Sequence, residues 1–299
     1  MNYRIKFIDP RIDFAFKKIF GSEDAKDILI SFLESLLQLE GDRRIQTLTL
    51  LDPFLAPRIR EMKYSILDVK CTDHRGISYI VEMQVQKVEA FLKQIQYKTA
   101  KVYVNQLPAG EDYTILNKVI GITITDFVLF KNFNHYISHH ENRETITGHS
   151  YLSDILHCFI ELPKFTKSLE ELDAVIDKWI YFVKYAGSLD RIPDIMHTEP
   201  FFRAFERARV ANMNAEELEM YENACMAIVN ARGAVVNARQ EGKKEGKTEI
   251  LTRILQHRFG TIPEWVHEKM IQAEPSALDE WTLRILGATT LDGVFEDRI

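Results

Sequence analysis

Two acidic residues and a glutamine in the first third of the chain have a spacing that suits metal-ion chemistry. Asp68 lies in one strand-like stretch and Glu82 and Gln84 in the next, and residues two apart on a strand project from the same face. A three-residue loop at 74–76 would place Asp68 directly opposite Glu82 on that face. A four-residue loop would put the two carboxylates on opposite faces, so the hypothesis depends on the register of the hairpin.

With the three-residue loop, the carboxylates of Asp68 and Glu82 converge at about 5 Å. Left unpaired at that separation they would repel each other, and a divalent cation between them removes the repulsion. Ligands that are all oxygen favour Mg²⁺ or Mn²⁺, with positions left for water and a phosphate oxygen. Such a cation can activate water and stabilise the charge that develops on a phosphodiester.

The elements around these residues indicate a mixed α/β core followed by helices. Alternating hydrophobicity predicts a strand pair on either side of residues 73–76, and Lys118 to Thr125 is rich in β-branched residues, typical of a buried strand. The stretches predicted as helices in this core are Arg11 to Phe20, the residues after Ser22, and Val88 to Leu107; those predicted as strands are Lys63 to Thr72, Ile77 to Gln86, Lys118 to Thr125, Phe127 to Phe130 and Ile155 to Leu162. After Ser168 the pattern is helical throughout, which predicts an all-helical C-terminal extension.

Charge is distributed unevenly along the 299 residues. The whole chain carries 38 Lys and Arg against 44 Asp and Glu, a net −6, which argues against a generic basic nucleic-acid coat. Residues 1–107 hold 17 basic against 14 acidic residues, a net +3, while the remainder holds 21 against 30, a net −9. A surface for a polyanion is therefore expected in the first third, where the acidic pair also lies.

The cysteines and the apolar pattern point to the cytoplasm. Cys71, Cys158 and Cys225 are odd in number and far apart, which fits a reducing compartment better than a disulfide framework. We expect no signal peptide in the first ten residues and no membrane span, because no apolar run reaches the required length.

Several short motifs together resemble one nuclease family. The spacing from Asp68 to Glu82-Met83-Gln84 resembles the PD-(D/E)XK nuclease pattern, and the resemblance extends to the PD-(D/E)XK nuclease family transposases, related to the Rpn recombination-promoting nucleases. The other segments that carry it are Asp13 to Gly21 (DFAFKKIFG), Ile80 to Gln84 (IVEMQ), Tyr97, Gln106-Leu107 and Phe159 to Phe165 (FIELPKF). The similarity covers roughly residues 1–185, and residues 250–299 look like a small helical domain that often follows such nucleases. We therefore expect a nuclease-like domain at 1–185, a helical connector at 186–249 and a helical C-terminal domain at 250–299.

The resemblance implies a restriction-endonuclease-like sheet flanked by helices and a metal-dependent DNA endonuclease, linked to recombination or mobile elements. It makes Asp68 and Glu82 the ligands of Mg²⁺ or Mn²⁺, and Asp13 adds a carboxylate from the first helix. Gln84 stands where the wider family usually has a lysine that orients the attacking water. An amide can orient water, but it cannot stabilise an anion as an ammonium group does.

Lysines elsewhere are candidates for the missing charge and for contacts to DNA. Lys17 or Lys70 is expected to supply the charge, since Lys70 shares a strand face with Asp68. Lys70, Lys98 and Lys101 are the predicted DNA contacts. For Lys98 and Lys101 a solvated helix face is an equal alternative, and Asp13 with Lys17 also fits a simple exposed i,i+4 pair.

Two other functions stay open at this point. One is a catalytically degenerate DNA-binding or oligomerisation module, in which the C-terminal helices assemble a homo-oligomer. The other is a defence-type nuclease, which shares the chemistry and differs in its biology. The complete Asp–Glu–Gln set favours an enzyme, and the missing lysine favours the degenerate module.

Overall fold

The computed structural model describes residues 6–52, 54–55, 65–66 and 68–296. Lys63, Tyr64 and Leu67, part of the first predicted hairpin strand, lie outside the described residues. By its internal contacts the chain divides into two units, Met1–Met226 and Ala227–Ile299. The predicted boundaries at 185 and 249 stay a prediction.

The strands are β1 (Leu48–Leu50), β2 (Phe54–Leu55), β3 (Ser65–Ile66), β4 (Val69–Asp73), β5 (Ser78–Gln84), β6 (Val119–Thr125), β7 (Ile137–His140) and β8 (Ile155–Glu161). Six of them form a mixed sheet at the centre of the first unit, in the order β1-β4-β5-β6-β8-β7. Strands β5, β6 and β8 run parallel, the remaining pairs in this sheet are antiparallel, and β2 pairs separately with β3. Every residue of β6 is buried, as expected for a central parallel strand covered on both faces. The predicted mixed α/β sheet flanked by helices is confirmed.

The hairpin between β4 and β5 has the register on which the acidic pair depends. Val69 pairs with Val81 and Thr72 with Ser78, so the same register places residue 68 opposite residue 82. The Asp73 N–H bonds to the Ile77 carbonyl at 3.1 Å, which leaves 74–76 as a three-residue loop. Gly76 has a φ of +81°, a conformation that favours glycine. Of the two loop lengths considered, the three-residue loop is the one that forms.

The α-helices are α1 (Asp13–Phe20), α2 (Lys26–Leu37), α3 (Phe91–Val104), α4 (Val175–Tyr185), α5 (Phe201–Ala208), α6 (Ala215–Phe259), α7 (Glu264–Gln272), α8 (Pro275–Arg284) and α9 (Asp292–Phe295). Aromatic side chains of α1, α2, α4 and α5 form a common core. Phe20 of α1 contacts the rings of Phe32 in α2 and of Trp179 and Phe182 in α4. Phe182 in turn meets Phe205 of α5 edge to face. Each such ring contributes about 1.5–3 kcal/mol by burial, so this cluster fixes α1 and with it Asp13.

Helix α3 covers the face of the sheet that carries Glu82. Its Phe91 and Ile95 pack against Phe159 of β8, and its Val102 packs against Ile80 and Val119. The helix approaches β6 closely at Gly121, where an added Cβ would lie 2.8 Å from Thr99 Oγ1 and 3.2 Å from His157 Nδ1. Gly121 therefore sets the height of α3 above the sheet.

Replacing Gly121 by Ala is expected to destabilise the protein by about 1–3 kcal/mol, because the new methyl group overlaps Thr99. Urea unfolding followed by circular dichroism measures the change. The double variant G121A/T99A removes the nearest clash and should regain part of the loss. A G121A protein as stable as wild type would show that α3 moves away at no cost.

The second unit is helical. The end of α6 packs with α7, α8 and α9 around a small core that contains Leu251, Leu255, Val266, Met270, Leu278, Trp281 and Phe295. This agrees with the predicted all-helical C-terminal extension. Among the described residues, no helix is both long and apolar enough to cross a membrane.

One predicted strand is wrong. Phe127 to Phe130 is not extended in a sheet but forms a loop after β6. The N–H groups of Leu129 and Phe130 bond instead to the buried carboxylate of Glu161. The backbone N–H groups of this segment thus bond to a side-chain oxygen instead of to a neighbouring strand. Apolar content alone does not distinguish a loop bonded in this way from a strand.

Candidate active site

The acidic pair lies where β4 begins and β5 ends. Asp68 comes just before β4, and its Oδ2 accepts a hydrogen bond from the Met83 N–H at 2.7 Å. Glu82 is on β5, one position from Met83, and has Thr123 of β6 as its parallel neighbour. The side chains of Asp68 and Glu82 are 18% and 13% exposed. Two largely buried carboxyl groups therefore lie on one face of the sheet.

The first helix adds a carboxyl group and an ammonium group to this site. Lys17 Nζ lies 2.9 Å from Asp13 Oδ1 and 3.7 Å from Asp68 Oδ1. The carboxyl groups of Asp13 and Asp68 are also close enough to influence each other's ionisation. The alternative of an isolated exposed i,i+4 pair does not describe Asp13 and Lys17, because both also contact Asp68.

A second ammonium group reaches the site from α3. Lys98 Nζ donates to both oxygens of Glu82, at 2.8 and 2.7 Å. Its side chain is only 14% exposed, and Lys101, one turn further on, is also buried. The alternative that these two lysines occupy a solvated helix face is wrong. Lys98 is three residues from Ile95 and four from Val102, so it belongs to the buried stripe of the helix.

The other predicted residues lie around this centre without joining it. Gln84 projects from the same face of β5 as Glu82, but its Nε2 donates to the Gln86 carbonyl at 2.9 Å. Lys70 is half-buried; burial lowers its pKa, and the carboxylate of Asp52 acts in the opposite direction. No hydrogen bond or ion pair in the described part of the chain joins Lys70 to Asp68 or Glu82. Lys101 Nζ lies 5.7 Å from the centre of the Tyr97 ring.

The carboxyl groups are arranged so that they do not all ionise together. Burial, with the hydrogen bond and charge of Asp13, raises the pKa of Asp68 to about 8. Burial opposes ionisation of Asp13 as well, but its hydrogen bonds with Asp68 and Lys17 bring its pKa below the ordinary value. Burial also raises the pKa of Glu82, an effect that Lys98 counteracts. Near neutral pH, the pair Asp13 and Asp68 therefore favours holding one proton between them over two ionised carboxylates.

The raised pKa of Asp68 predicts how stability depends on pH in the absence of metal. Between about pH 4 and 8 the folded protein holds a proton at Asp68 that the unfolded chain has lost. The free energy of unfolding contributed by this group therefore falls as pH rises, by up to about 1.4 kcal/mol per pH unit. In urea unfolding with EDTA at pH 5, 7 and 9, the free energy of unfolding of D68N should rise relative to that of wild type as pH increases. An unchanged difference between the two proteins would contradict the protonated Asp68.

The donor set fits a divalent cation. Asp68, Glu82 and Asp13 offer oxygen atoms only, the ligands that Mg²⁺ and Mn²⁺ prefer. Ionising Asp68 beside the Asp13 carboxylate costs free energy because the two negative charges repel each other. A bound cation removes this repulsion. In the described ranges, no group of three or more His, Cys, Asp and Glu side chains is placed so that it could hold a metal ion. The fit is therefore one of ligand chemistry and not of a preformed metal cage.

The parallel core of β5, β6 and β8, with Asp68 just before β4 and Glu82 on β5, is consistent with the PD-(D/E)XK nuclease fold, which is restriction-endonuclease-like. The family model of the PD-(D/E)XK nuclease family transposases matches residues 10–238. The chain belongs to this family, and the predicted family is confirmed. The match extends beyond residue 185, where the predicted resemblance ends. Searches of curated proteins and of solved structures gave no match.

Family membership implies nuclease chemistry that uses divalent metal ions and acts on DNA. Of the predicted residues, the structure brings together Asp13, Lys17, Asp68, Glu82 and Lys98. The contact between Lys98 and Glu82 was not foreseen. The signal for it was the spacing of Lys98 from Ile95 and Val102, which places a lysine on a helix face that must pack on the sheet.

Proposed function

We propose that this protein is a metal-dependent DNA endonuclease that hydrolyses phosphodiester bonds, with Mg²⁺ or Mn²⁺ as its cofactor. The observation that carries the proposal is the hairpin register, which puts Asp68 opposite Glu82 on one face of the sheet. Asp13 joins the pair from α1 and makes the site richer in carboxyl groups than stability alone would favour.

Each residue has a role that follows from its position. Asp68 and Glu82 would hold the cation, and Asp13 would complete the acidic site. A cation held there supplies Lewis-acid activation of water and neutralises charge on the phosphate. Gln84, on the same face as Glu82, can exchange its bond to the Gln86 carbonyl for one to the attacking water. Water adds to phosphorus, one ester bond to oxygen breaks, and the leaving oxygen takes up a proton.

Nicking of supercoiled plasmid DNA tests the proposal. Purified protein should nick plasmid in Mg²⁺ or Mn²⁺ and not in EDTA, and D68A and E82A should both lack the activity. Nicking that persists equally in both variants would point to a contaminating nuclease. A wild-type protein that binds the plasmid without cutting it would support the degenerate DNA-binding module instead.

The biological setting is part of the same proposal. We place the activity in the cytoplasm, which the three free cysteines favour, and in recombination or mobile-element biology rather than in defence, because the family is one of transposases. Homo-oligomers through the C-terminal helices, and DNA contacts by Lys70, Lys98 and Lys101, are further proposals. Sedimentation of the full chain tests the first, and DNA affinity of the single lysine variants tests the second.

A further inference from the structure

The position that holds the lysine in the wider nuclease pattern has no positive charge in this protein. Gln84 is an amide, and its Nε2 is bonded to the Gln86 carbonyl. A positive group near the phosphate stabilises the charge that develops during hydrolysis, and one well-placed donor is commonly worth about 10²–10³ in rate. The site therefore either lacks this contribution or receives it from another residue.

Lys98 is the lysine whose position best fits the missing charge. It lies sixteen residues after Glu82, on the helix that follows β5, and its Nζ bonds to both Glu82 oxygens. An ammonium group has three N–H donors, and these two bonds use two of them. The third can serve a water molecule or a phosphate oxygen in front of Glu82.

The fold holds Lys98 in this place. Ile95, one turn before it, packs against Phe159, and Thr99, the next residue, is buried over Gly121. Because a Cβ at position 121 would collide with Thr99, the close approach of α3 depends on glycine there. The ammonium group is thus positioned by two contacts of its own helix with the sheet.

The other two candidate lysines fit the role less well. The Lys17 ammonium group contacts both Asp13 and Asp68, and its side chain is more exposed than that of Lys98. Lys70 has Asp52 as the charge that acts on it. A purely structural pairing explains Lys98 poorly, because a buried ion pair is often no more stabilising than an apolar pair of similar size.

We propose that Lys98 takes the part of the lysine that position 84 lacks, contacting the scissile phosphate or the attacking water from α3 while its other donors remain on Glu82. The inference rests on the proposed nuclease function. In this role a lysine at position 84 can replace Lys98, which would not hold for a lysine that only contacts DNA.

Relocating the charge tests this proposal. The proteins compared are wild type, K98Q, the double variant K98Q/Q84K and the matched control K93Q, whose lysine is exposed on the same helix. K98Q should nick plasmid about 100-fold more slowly than wild type. K98Q/Q84K should nick plasmid at least about tenfold faster than K98Q, and K93Q should nick within about twofold of the wild-type rate. A lysine with a structural role alone would not be replaced by one on the neighbouring strand.

A measurement without turnover accompanies the rates. Affinity for a short DNA duplex is measured with Ca²⁺ in place of Mg²⁺, on duplex shown by gel to remain uncut, and circular dichroism confirms that each protein is folded. K98Q should bind about tenfold more weakly than wild type, and the double variant should recover.

The outcomes separate the two proposals. An active K98Q protein, or a K98Q/Q84K protein as impaired as K98Q, overturns the assignment of Lys98 and leaves the nuclease function standing. A wild-type protein without any nicking overturns both. Loss in K98Q with recovery in the double variant, in rate and in affinity, supports the assignment.

Discussion

Replacing Glu82 by Gln is expected to reduce plasmid nicking by at least about 1000-fold. A bound cation supplies several kcal/mol of transition-state stabilisation, and each 1.4 kcal/mol is worth about tenfold in rate. The E82Q amide would keep the shape of the side chain but remove the charge that attracts the cation, and it would leave the Lys98 ammonium without its anionic partner. D68N should show a loss of the same order, because Asp68 faces Glu82 across the hairpin.

The control for this pair is E89Q, an exposed carboxyl group a few residues beyond β5. It should nick plasmid at the wild-type rate. Initial rates at saturating Mg²⁺, with circular dichroism to confirm folding, provide the comparison. If E82Q and D68N lose less than about tenfold, the two carboxylates are not the centre of the reaction.

The two variants should differ in stability even though they share the loss of activity. At pH values above its raised pKa, Asp68 is ionised at a cost to the stability of the folded protein, so D68N should raise the free energy of unfolding there. Glu82 has an ammonium partner, so E82Q disrupts an existing pair. A site in which one carboxylate is destabilising and its neighbour is neutralised by a lysine is one organised for binding a cation rather than for stability.

The central feature of this site was predictable from the sequence as one of two registers, because it depends on short-range rules. Residues 74–76 provide a three-residue loop with glycine at its last position, and strand alternation then determines which side chains face each other. The aromatic spacing of Phe16 and Phe20 likewise indicates the buried side of α1. These signals are local, so the hairpin and the first helix could be placed with no knowledge of the rest of the chain.

The partner of Glu82 was not predicted because it depends on tertiary packing. The sequence predicted Lys98 as a DNA contact or as part of a solvated helix face, and neither expectation includes a buried partner. Its spacing from Ile95 and Val102 places it on the buried side of α3, where a carboxylate compensates its charge. A charged residue within an apolar stripe is thus a signal for a partner on the opposing sheet, and Gly121 marks where the helix comes close enough to provide one.

The loop after β6 was misassigned for a related reason, and it leads to the largest expected effect on stability. Glu161 is almost fully buried at the end of β8. It accepts hydrogen bonds from the N–H groups of Leu129 and Phe130 at 2.5 and 3.0 Å. Lys164 Nζ lies 2.6 Å from its Oε2 and also donates to the Phe130 carbonyl. One carboxylate therefore compensates two backbone donors and a buried ammonium group.

Replacing Glu161 by Ala is expected to lower the free energy of unfolding by about 3–5 kcal/mol, because it leaves the Lys164 charge buried without a partner and two N–H groups without an acceptor. Urea unfolding at neutral pH measures the loss. The double variant E161Q/K164M should lose much less, since its amide oxygen still accepts from the loop and no unpaired charge stays buried. If E161A and the double variant are equally destabilised, the loop depends on the ion pair between Glu161 and Lys164, which both variants lack, and not on the side-chain acceptor that only E161A removes. The comparison thus separates the ion pair from the hydrogen bonds that Glu161 accepts from the loop.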